Sequence, residues 1–384
     1  MPVPEEDLPV LLPEQPDFRP TAGDSPLART PEFVNTTCPR CGGPALRETD
    51  TMTTFVDSSW YYLRYASPDA EDVAFRREDV DYWLPVDKYV GGIEHAVRHL
   101  LYSRFITKVL HDLGHVSFVE PFGELFTQGM IYKDGAKMSK SKGNVVRPEE
   151  ISDRYGTDTG RTFILFVGPP DQDAEWSDRG VEGCHRFLQR VWRLVMENLE
   201  KWSYPPDGSL QQADALNEAQ RAIRRKTHQT IRTVTEDISG MRLNTMISAM
   251  MELVNELLPF AAQVNQEDLA GRAVLSEGIA ALLHCLSPTA PHLCDELWAR
   301  LGQEESLYER PWPAWDPAVA AAEEITIVVQ VNSKVRDRLE VSADTPMDRI
   351  QELAQELPGV QKFIGDKPIR KTITVEGKLV NFVV

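Results

Sequence analysis

The chain has 384 residues, enough for about two or three domains. With 42% hydrophobic and 26% charged residues it has an ordinary globular composition, and the sequence contains no uninterrupted run of about 18 apolar residues that would predict a membrane span. The formal net charge of −18 argues against nonspecific nucleic-acid binding by the whole surface, but not against local basic patches, because salt screens charges over about 8–10 Å.

Residues 1–50 are rich in proline and acidic residues without sustained periodicity, so we expect an extended connector. The acidic N-terminus has neither the basic flank nor the small-residue cleavage site of a secretory signal. Five cysteines do not make a disulfide framework in a chain of this length, and Cys184, Cys285 and Cys294 fall in helical apolar patterns as reduced core residues. These features predict a cytoplasmic protein.

A CxxCGG motif, Cys38-Pro39-Arg40-Cys41-Gly42-Gly43, stands within this connector. Two thiolates are half of the four-ligand tetrahedral set of structural zinc, and the sequence has no second CxxC. A redox pair is the alternative, which is less favoured because a thioredoxin-like βαβ pattern does not surround the motif. We expect Cys38 and Cys41 to bind Zn²⁺ only if further ligands are supplied from elsewhere.

The segment from residue 51 mixes short strands with helices. The stretch DYWLPVDKYVGG predicts a strand ending at a glycine pair, and IEHAVRHLLYSRFITKVLHDLG predicts a helix closed by Gly114. His95 and His99 are four residues apart and would share one helical face, as metal ligands, as core residues or as walls of a ligand pocket. The apolar residues at helical spacing are Ile93, Val97, Leu100, Leu101, Phe105 and Val109.

The stretch LFTQGMIYKDGAKMSKSKGN predicts a strand, a second short strand, a tight Asp134-Gly135 turn and a loop rich in lysine. Lysine, serine and glycine are common in solvated surface loops. The alternative is a mobile loop that brings ammonium groups to a polyphosphate, because adenylyl transfer needs positive charge where negative charge develops. Such a loop could close on a triphosphate and open to release pyrophosphate. The loop residues by themselves do not decide between the two interpretations.

Residues 180–302 have helical patterns that predict a bundle. An apolar stripe runs through CHRFLQRVWRLVMENLEKW, and amphipathic segments follow near 214–238, 241–265 and 276–301. The first of these segments carries cations with no acid among them before Glu236. A solvated helix face and a phosphate-facing surface explain such a run about equally well. The cations are Arg221, Arg224, Arg225, Lys226 and Arg232.

The stretch 306–324 predicts a linker, and residues 325–384 predict a small α+β domain. The domain would contain a hairpin around Asn332-Ser333, a helix near 346–357 and strands near 370–384. Its acidic and basic residues nearly balance, unlike those of the remaining chain.

Several blocks of the sequence resemble class I aminoacyl-tRNA synthetases and, within them, the bacterial leucyl family. DSSWYY and GGIEHA distinguish the leucyl from the valyl and isoleucyl members. The resembling blocks are TTCPRCGGPALRETDTMTTFVDSSWYYLRY, VDKYVGGIEHAVRHLLYSRF, LFTQGMIYKDGAKMSKSKGNVV, EWSDRGVEGCHRFLQRVWRLV, TAPHLCDELW and VVQVNSKVRDRLEV.

The resemblance implies a multidomain fold that combines α/β and all-α parts. Residues 51–179 would be the C-terminal half of a Rossmann-like catalytic domain, and residues 180–305 would be a helical-bundle anticodon-binding domain. After the linker, residues 325–384 would be an α+β domain that contacts tRNA.

The resemblance further implies ATP-dependent activation of leucine, with Mg²⁺, and transfer of leucine to tRNA(Leu). Lys137 and Lys140 would be catalytic, since they match lysines that stabilise the pyrophosphate leaving group. The ATP-binding residues would be Gly91, Gly92, Glu94, Gln128, Gly129, Met130, Lys137, Met138, Ser139, Lys140 and Ser141. The pocket for leucine and its adenylate would be lined by Phe55, Ser58, Tyr61, His95 and His99. The tRNA-binding residues would be Arg221, Arg224, Arg225, Lys226, Arg232, Lys334 and Arg336.

The sequence also departs from the family pattern. The His-Ile-Gly-His signature, the first half of the nucleotide-binding fold and the editing insertion do not occur in it, and Ser333 replaces a glycine that would relax a hairpin turn. We therefore expect a C-terminal half, either a fragment or one subunit of a split enzyme, inactive without an N-terminal half. The alternative is a non-catalytic tRNA-binding protein, which would have no use for the KMSKS and GGIEHA blocks.

Overall fold

The computed structural model describes residues 1–14, 19, 25–139, 142–203, 216–321, 324–342, 345–365, 367–375 and 377–384. The chain divides into two compact units, Met1–Gln128 and Gly129–Val384. This division falls inside the segment 51–179, and the predicted domain boundaries stay predictions.

The first unit contains a short hairpin and one parallel strand pair with helices around it. Strands β3 (Val86–Gly92) and β4 (Phe122–Gln128) pair in parallel, with Val86 opposite Phe122 and Gly92 opposite Gln128. A parallel pair joined through a helix is a βαβ arrangement. The elements in chain order are a 3₁₀ turn Glu5–Asp7, α1 Pro31–Val34, β1 Asn35–Thr37, β2 Pro44–Leu46, α2 Phe55–Ser58, α3 Tyr61–Ala66, α4 Arg77–Trp83, β3 Val86–Gly92, a 3₁₀ turn Ile93–Val97, α5 His99–Asp112 and β4 Phe122–Gln128.

The prediction of one continuous helix after the glycine pair was wrong. Residues Ile93–Val97 form a 3₁₀ turn, and Arg98, with φ −121° and ψ −101°, separates this turn from α5. Gly114 follows α5 with φ +78°, which agrees with its predicted role in ending the helix. Because the chain breaks at Arg98, the two histidines do not lie on one continuous α-helical face.

Most of the predicted apolar stripe along α5 faces solvent. Val97 is 77% exposed and Phe105 is 63% exposed, whereas Leu100 is buried. The sequence predicted apolar residues at helical spacing, and most of these side chains are exposed in the structure.

The second unit begins with a small three-stranded sheet, in the order β6 (Ala136–Lys137), β5 (Ile131–Lys133) and β7 (Ala174–Glu175). Asp134 (φ 55°) and Gly135 (φ 70°) form the predicted tight turn between β5 and β6, and positive φ at both residues is the geometry of a two-residue hairpin turn. Two short helices follow the lysine loop. The elements are β5 Ile131–Lys133, β6 Ala136–Lys137, α6 Pro148–Tyr155, α7 Thr157–Phe166 and β7 Ala174–Glu175.

A helical bundle with one large apolar core follows. Leu253, Leu257 and Trp298 are among its most deeply buried side chains. A capping box between Asn217 and Gln220 begins α9. The helices are α8 Asp178–Met196, a 3₁₀ turn Leu199–Lys201, α9 Glu218–Ser239, α10 Leu243–Gln263, α11 Leu269–Leu286 and α12 Pro291–Arg300.

The predicted helix 276–301 was wrong, because the structure has two helices there. The chain leaves α11 at Ser287 and α12 begins at Pro291. Pro288 and Pro291 have no backbone N–H, and each would break a continuous helix. By length and composition α11 could cross a membrane, but 72% of that window is buried inside the protein, as in the core helix of a bundle.

The three helical cysteines lie in apolar cores, as predicted. Burial raises the pKa of Cys184 to about 11 and that of Cys285 to about 12, and the pKa of the Cys294 thiol is also raised by burial. Since thiolate is the reactive form of cysteine, these side chains are unreactive near neutral pH.

The C-terminal elements form the predicted small α+β arrangement, with a sheet in the order β10 (Lys371–Val375), β11 (Leu379–Val383), β8 (Glu324–Val331) and β9 (Lys334–Ser342). Asn332 (φ 51°) and Ser333 (φ 62°) form the turn of the hairpin, so a non-glycine residue occupies the left-handed region, as expected for a strained turn. Ser333 N–H donates to Asn381 Oδ1 at 3.0 Å, which offsets part of this strain. The elements are α13 Pro317–Ala320, β8 Glu324–Val331, β9 Lys334–Ser342, α14 Met347–Glu356, α15 Pro358–Ile364, β10 Lys371–Val375 and β11 Leu379–Val383.

Candidate active site

His99 is the centre of a hydrogen-bonded cluster in the first unit. It is 5% exposed, its Nε2 lies 2.7 Å from Ser58 O, and its Nδ1 lies 3.0 Å from the Tyr89 hydroxyl. Because a carbonyl oxygen only accepts, we assign the ring proton to Nε2, and Nδ1 then accepts from Tyr89. His99 therefore holds α2, β3 and α5 in a fixed arrangement.

Aromatic rings surround this histidine. The Phe55 and His95 ring centres are 6.1 Å apart, and those of His95 and His99 are 6.4 Å apart. Tyr61 lies 5.7 Å from His99, and burial raises the pKa of the Tyr61 and Tyr89 hydroxyls, so both stay protonated near neutral pH. The structure brings these predicted pocket residues together around one histidine.

Two predicted pocket residues have features that their types did not reveal. Ser58 contributes its main-chain carbonyl to His99, while its hydroxyl donates to Thr54 O at 3.2 Å. Among the described residues, Nδ1 of His95 is buried without a hydrogen-bond partner. A buried polar atom of this kind can bind a polar atom of a ligand at little desolvation cost.

Gly91 and Gly92 end β3 at the carboxyl edge of the parallel pair, where ligands bind in open α/β sheets. A Cβ at Gly91 would lie 3.2 Å from the Tyr89 ring, and a Cβ at Gly92 would collide with the Glu94 carboxylate. A side chain at Gly92 would therefore displace Glu94, and the backbone stays open to close approach by a ligand.

The lysine loop lies in the second unit. Lys137 pairs with Tyr132 in the β5–β6 ladder and is exposed, and Met138 and Ser139 are half-buried. Lys140 and Ser141 lie outside the described residues.

Asn144 connects the two ends of this loop. Its Oδ1 accepts from Ser139 N–H at 2.9 Å, and its Nδ2 lies 3.3 Å from both Lys133 O and Ala136 O. The sequence analysis assigned no role to Asn144. The tendency of asparagine to bond to nearby backbone was the available signal.

Gly129 and Met130, also predicted to bind ATP, are held by the segment 169–173. Gly129 N–H donates to Pro170 O at 2.9 Å, and Met130 N–H donates to Asp173 Oδ1 at 2.7 Å. A Cβ at Gly129 would collide with Gln172 O. Glycine is therefore required here by the neighbouring backbone, which sequence alone could not show.

The cations predicted to contact tRNA have unequal surroundings. Arg224 Nε lies 3.1 Å from Glu277, with only 14% of the arginine side chain exposed, and Lys226 lies 2.6 Å from Glu252. Acids from α11 and α10 therefore face these two cations of the basic run along α9. Arg232 is exposed.

Arg221 and Arg225 on α9 also make contacts within the protein. In the C-terminal sheet, the Arg336 guanidinium lies 3.5 Å from the centre of the Phe363 ring, whereas Lys334 is exposed. A stacked guanidinium has its planar face covered and keeps only its edges for another partner.

A second set of cations on α8 was missed in the sequence. Arg179, Arg186 and Arg193 are exposed, and their spacing of seven residues places them on one face of the helix. The seven-residue spacing is present in the sequence, but the sequence analysis considered only the apolar stripe of this helix. The three guanidinium groups form a basic row that could meet phosphates.

The CxxCGG motif forms the turn of the β1–β2 hairpin. Gly42 N–H donates to Cys38 O at 2.9 Å, and Cys38 N–H donates to Gly43 O at 2.8 Å. Hydrogen bonds from the Arg40 and Cys41 amides and from the Cys41 thiol lower the pKa of Cys38. The described residues contain no group of three or more potential metal ligands, so this pair fits half of a zinc site at most.

Two protein-family models match the chain. The model for "tRNA synthetases class I (I, L, M and V)" matches residues 41–177, and the model for "Anticodon-binding domain of tRNA ligase" matches residues 220–352. The first range includes the aromatic pocket and the lysine loop.

Curated relatives match the chain along its whole length. A leucine–tRNA ligase from Thermotoga petrophila is 51% identical over 385 residues, and one from Petrotoga mobilis is 52% identical over 388 residues. Each alignment covers 100% of this chain and 46% of the relative. The chain therefore spans less than half the length of these relatives.

A solved structure is also similar to the whole of this chain and to about half of its own length. The ternary complex of Agrobacterium radiobacter K84 agnB2 LeuRS with tRNA and LeuAMS is 37% identical, with a TM-score of 0.79. The similarity covers 100% of this chain and 49% of that one.

Proposed function

We propose that the chain is a counterpart of the C-terminal part of leucine–tRNA ligases, within the class I aminoacyl-tRNA synthetases, and that it forms that part of an ATP-dependent leucine–tRNA ligase. The observation that carries the proposal is the match of the whole chain, at about half identity, to enzymes of one specificity. The leucine carboxylate attacks the α-phosphorus of ATP and expels pyrophosphate. A tRNA hydroxyl then attacks the leucyl carbonyl and expels AMP.

The aromatic cluster in the first unit is suited to binding the leucine substrate of this reaction. Phe55 and Tyr61 provide apolar walls for a branched aliphatic side chain, and His99 is fixed by its hydrogen bonds to Tyr89, Ser58 and Ser103. The unpaired Nδ1 of His95 is suited to a polar atom of the amino acid or its adenylate. We infer that a rigid pocket selects leucine by shape.

The lysine loop is suited to stabilising the pyrophosphate leaving group. Negative charge increases on the leaving oxygens as the bond to the α-phosphorus breaks, and ammonium groups of Lys137 and Lys140 would stabilise it. Mg²⁺ would accompany the triphosphate and share in neutralising its charge. We assign the loop this role because the chain offers ammonium groups on a short loop between ordered elements, with Asn144 at its base.

The bundle and the C-terminal sheet would hold tRNA(Leu). The exposed Arg179, Arg186 and Arg193, together with Arg232 and Lys334, are the side chains that we favour for phosphate contacts. Such contacts fix position and depend on salt, and they carry no base information of their own. We therefore infer recognition mainly through backbone and shape.

We further infer that activity requires residues that precede the matched region in the relatives. The relatives are about twice as long as this chain, and the first unit has an uncovered apolar stripe on α5 beside a strand pair. One side of an ATP site cannot hold a triphosphate in line with a carboxylate. A cytoplasmic setting is part of this proposal.

The proposal is tested in a complemented enzyme, defined here as this chain joined after the N-terminal residues of the Thermotoga petrophila relative. Lys137→Ala and Lys140→Ala should each lower leucine-dependent pyrophosphate exchange by about 10²-fold, the usual loss for one transition-state contact. Lys362→Ala, which removes an exposed lysine of α15, is the control and should leave exchange unchanged. Exchange at the unsubstituted rate in both loop variants would refute the assigned role.

A further inference from the structure

A buried carboxylate joins α7 to the start of α12. Asp158, on α7, is 8% exposed. Its Oδ1 lies 2.7 Å from His292 Nδ1, and its Oδ2 accepts from Leu293 N–H at 2.7 Å. The first N–H groups of a helix have no partner within it, so Asp158 caps α12 from another part of the chain, where negative charge is favourable.

Arg161, one turn along α7, binds the other side of the same turn. Its Nη2 donates to Pro288 O at 2.9 Å, and its Nε donates to Thr289 O at 3.2 Å. These carbonyls follow the end of α11, where a positive group is favourable. The two charged side chains of α7 thus satisfy both donors and acceptors of the turn between two bundle helices.

The same helix is tied to the frame of the lysine loop. Phe163 of α7 packs edge-on against Trp176, with ring centres 4.9 Å apart, and Trp176 N–H donates to Tyr132 O at 2.7 Å. Tyr132 pairs with Lys137 in the β5–β6 ladder. A continuous set of contacts therefore runs from the α11–α12 turn, through α7, to the strand that begins the lysine loop.

We propose that Asp158 is a positioning residue that fixes the lysine-loop frame to the helical bundle, so that RNA held by the bundle meets the reacting groups in register. The inference rests on the proposed function, because it concerns the same loop and the same RNA. Adenylate formation needs the loop but not the bundle, whereas transfer to tRNA needs both in a fixed relation. Loss of Asp158 should therefore separate the two reactions.

Asp158→Ala in the complemented enzyme tests this separation. Leucine-dependent pyrophosphate exchange should stay within about threefold of the unsubstituted enzyme, while kcat/KM for tRNA in aminoacylation should fall by about tenfold or more. Asp158→Asn keeps an oxygen acceptor for Leu293 N–H and should recover part of that loss. Equal loss in both reactions would overturn the proposal, as would unchanged aminoacylation.

Asp237→Ala is the matched control. Asp237 is equally buried and accepts from Arg242 Nε at 2.7 Å and from Thr245 Oγ1 at 2.6 Å, but these bonds join the end of α9 to the start of α10. We expect this variant to leave the ratio of aminoacylation to exchange unchanged, whatever stability it loses. A ratio that falls as far as in Asp158→Ala would mean that any buried carboxylate of the bundle has this effect, and would contradict a specific role.

Amide hydrogen exchange, measured on the 384-residue chain without the added N-terminal residues, is a second test that does not require enzymatic activity. Asp158→Ala should speed exchange at Leu293 N–H by about tenfold or more, whereas Cys294 N–H, which donates to Ala290 O within its own segment, should change far less. Unchanged exchange at Leu293 would overturn the contact itself. A complemented enzyme without leucine-dependent activity would instead contradict the proposed function. The amide exchange of Leu293 would still show whether Asp158 holds the start of α12.

Discussion

Asn144 uses one amide to hold both ends of the lysine loop. Its oxygen takes the N–H of Ser139 on one side, and its nitrogen faces the carbonyls of Lys133 and Ala136 on the other. A loop whose base is fixed in this way loses less conformational entropy when its lysines close on a ligand.

We expect Asn144→Ala in the complemented enzyme to reduce pyrophosphate exchange by about five- to tenfold, since it removes hydrogen bonds worth about 1 kcal/mol in sum. Asn144→Asp should be at least as harmful, because it keeps the acceptor for Ser139 but turns a second oxygen toward two carbonyls. Steady-state pyrophosphate exchange at varied ATP concentration measures the effect of each variant.

Asn35→Ala is the control for this pair, since Asn35 makes a local side-chain bond to Pro31 O at 3.0 Å in the first unit. If Asn144→Asp exchanges as fast as the unsubstituted enzyme, the donor side of the amide has no part in holding the loop.

At this scale the sequence predicted residue types better than contacts. The aromatic residues and His99 were identified from the family resemblance, but the hydrogen bonds that orient His99 depend on Tyr89 and on a main-chain carbonyl, to which the motif gave no guide. Asp158 and His292 are 134 positions apart, and no local pattern relates them.

Among the elements, α11 packs tightly against α10 and α9 at Gly278. A Cβ there would lie 2.7 Å from Leu257 Cδ2 on α10 and 3.3 Å from Thr227 Oγ1 on α9. Gly278, Leu257 and Thr227 are all buried, so the Leu257 and Thr227 side chains have little space into which to move. The glycine therefore sets how closely three helices approach.

Gly278→Val should lower the free energy of unfolding by about 1–3 kcal/mol, because extra methyl groups overpack a filled core. Urea unfolding followed by circular dichroism measures the change. Gly183→Val on α8 is the matched control, since a Cβ there meets only Arg186 Nη2 at 3.9 Å. Equal destabilisation by both variants would show that helix propensity, not packing, governs Gly278.

Helical periodicity predicted the bundle helices but not all of their ends. The apolar spacing continues across the turn between α11 and α12, so only the prolines at 288 and 291 signalled the break. In α5 the same periodicity predicted an apolar stripe, and its side chains are mostly exposed. Periodicity indicates that a face is apolar and does not indicate what covers it.

For the whole molecule, motif blocks identified the fold class and the family resemblance, whereas charge patterning along one helix could not show which cations are paired. Glu277 and Glu252, from neighbouring helices, face Arg224 and Lys226, and this depends on tertiary packing. The row formed by Arg179, Arg186 and Arg193 is a better candidate for RNA phosphates because its members are exposed on one face. A net charge of −18 thus conceals a local basic row.

Leucine-dependent pyrophosphate exchange, measured on the chain alone and on the complemented enzyme, tests the central claim most directly. We expect no exchange by the chain alone, and exchange with leucine but far less with isoleucine once the N-terminal residues are joined to it. Exchange by the chain alone would contradict the need for those residues. A folded complemented enzyme that is silent with leucine would contradict the assignment to leucine–tRNA ligation.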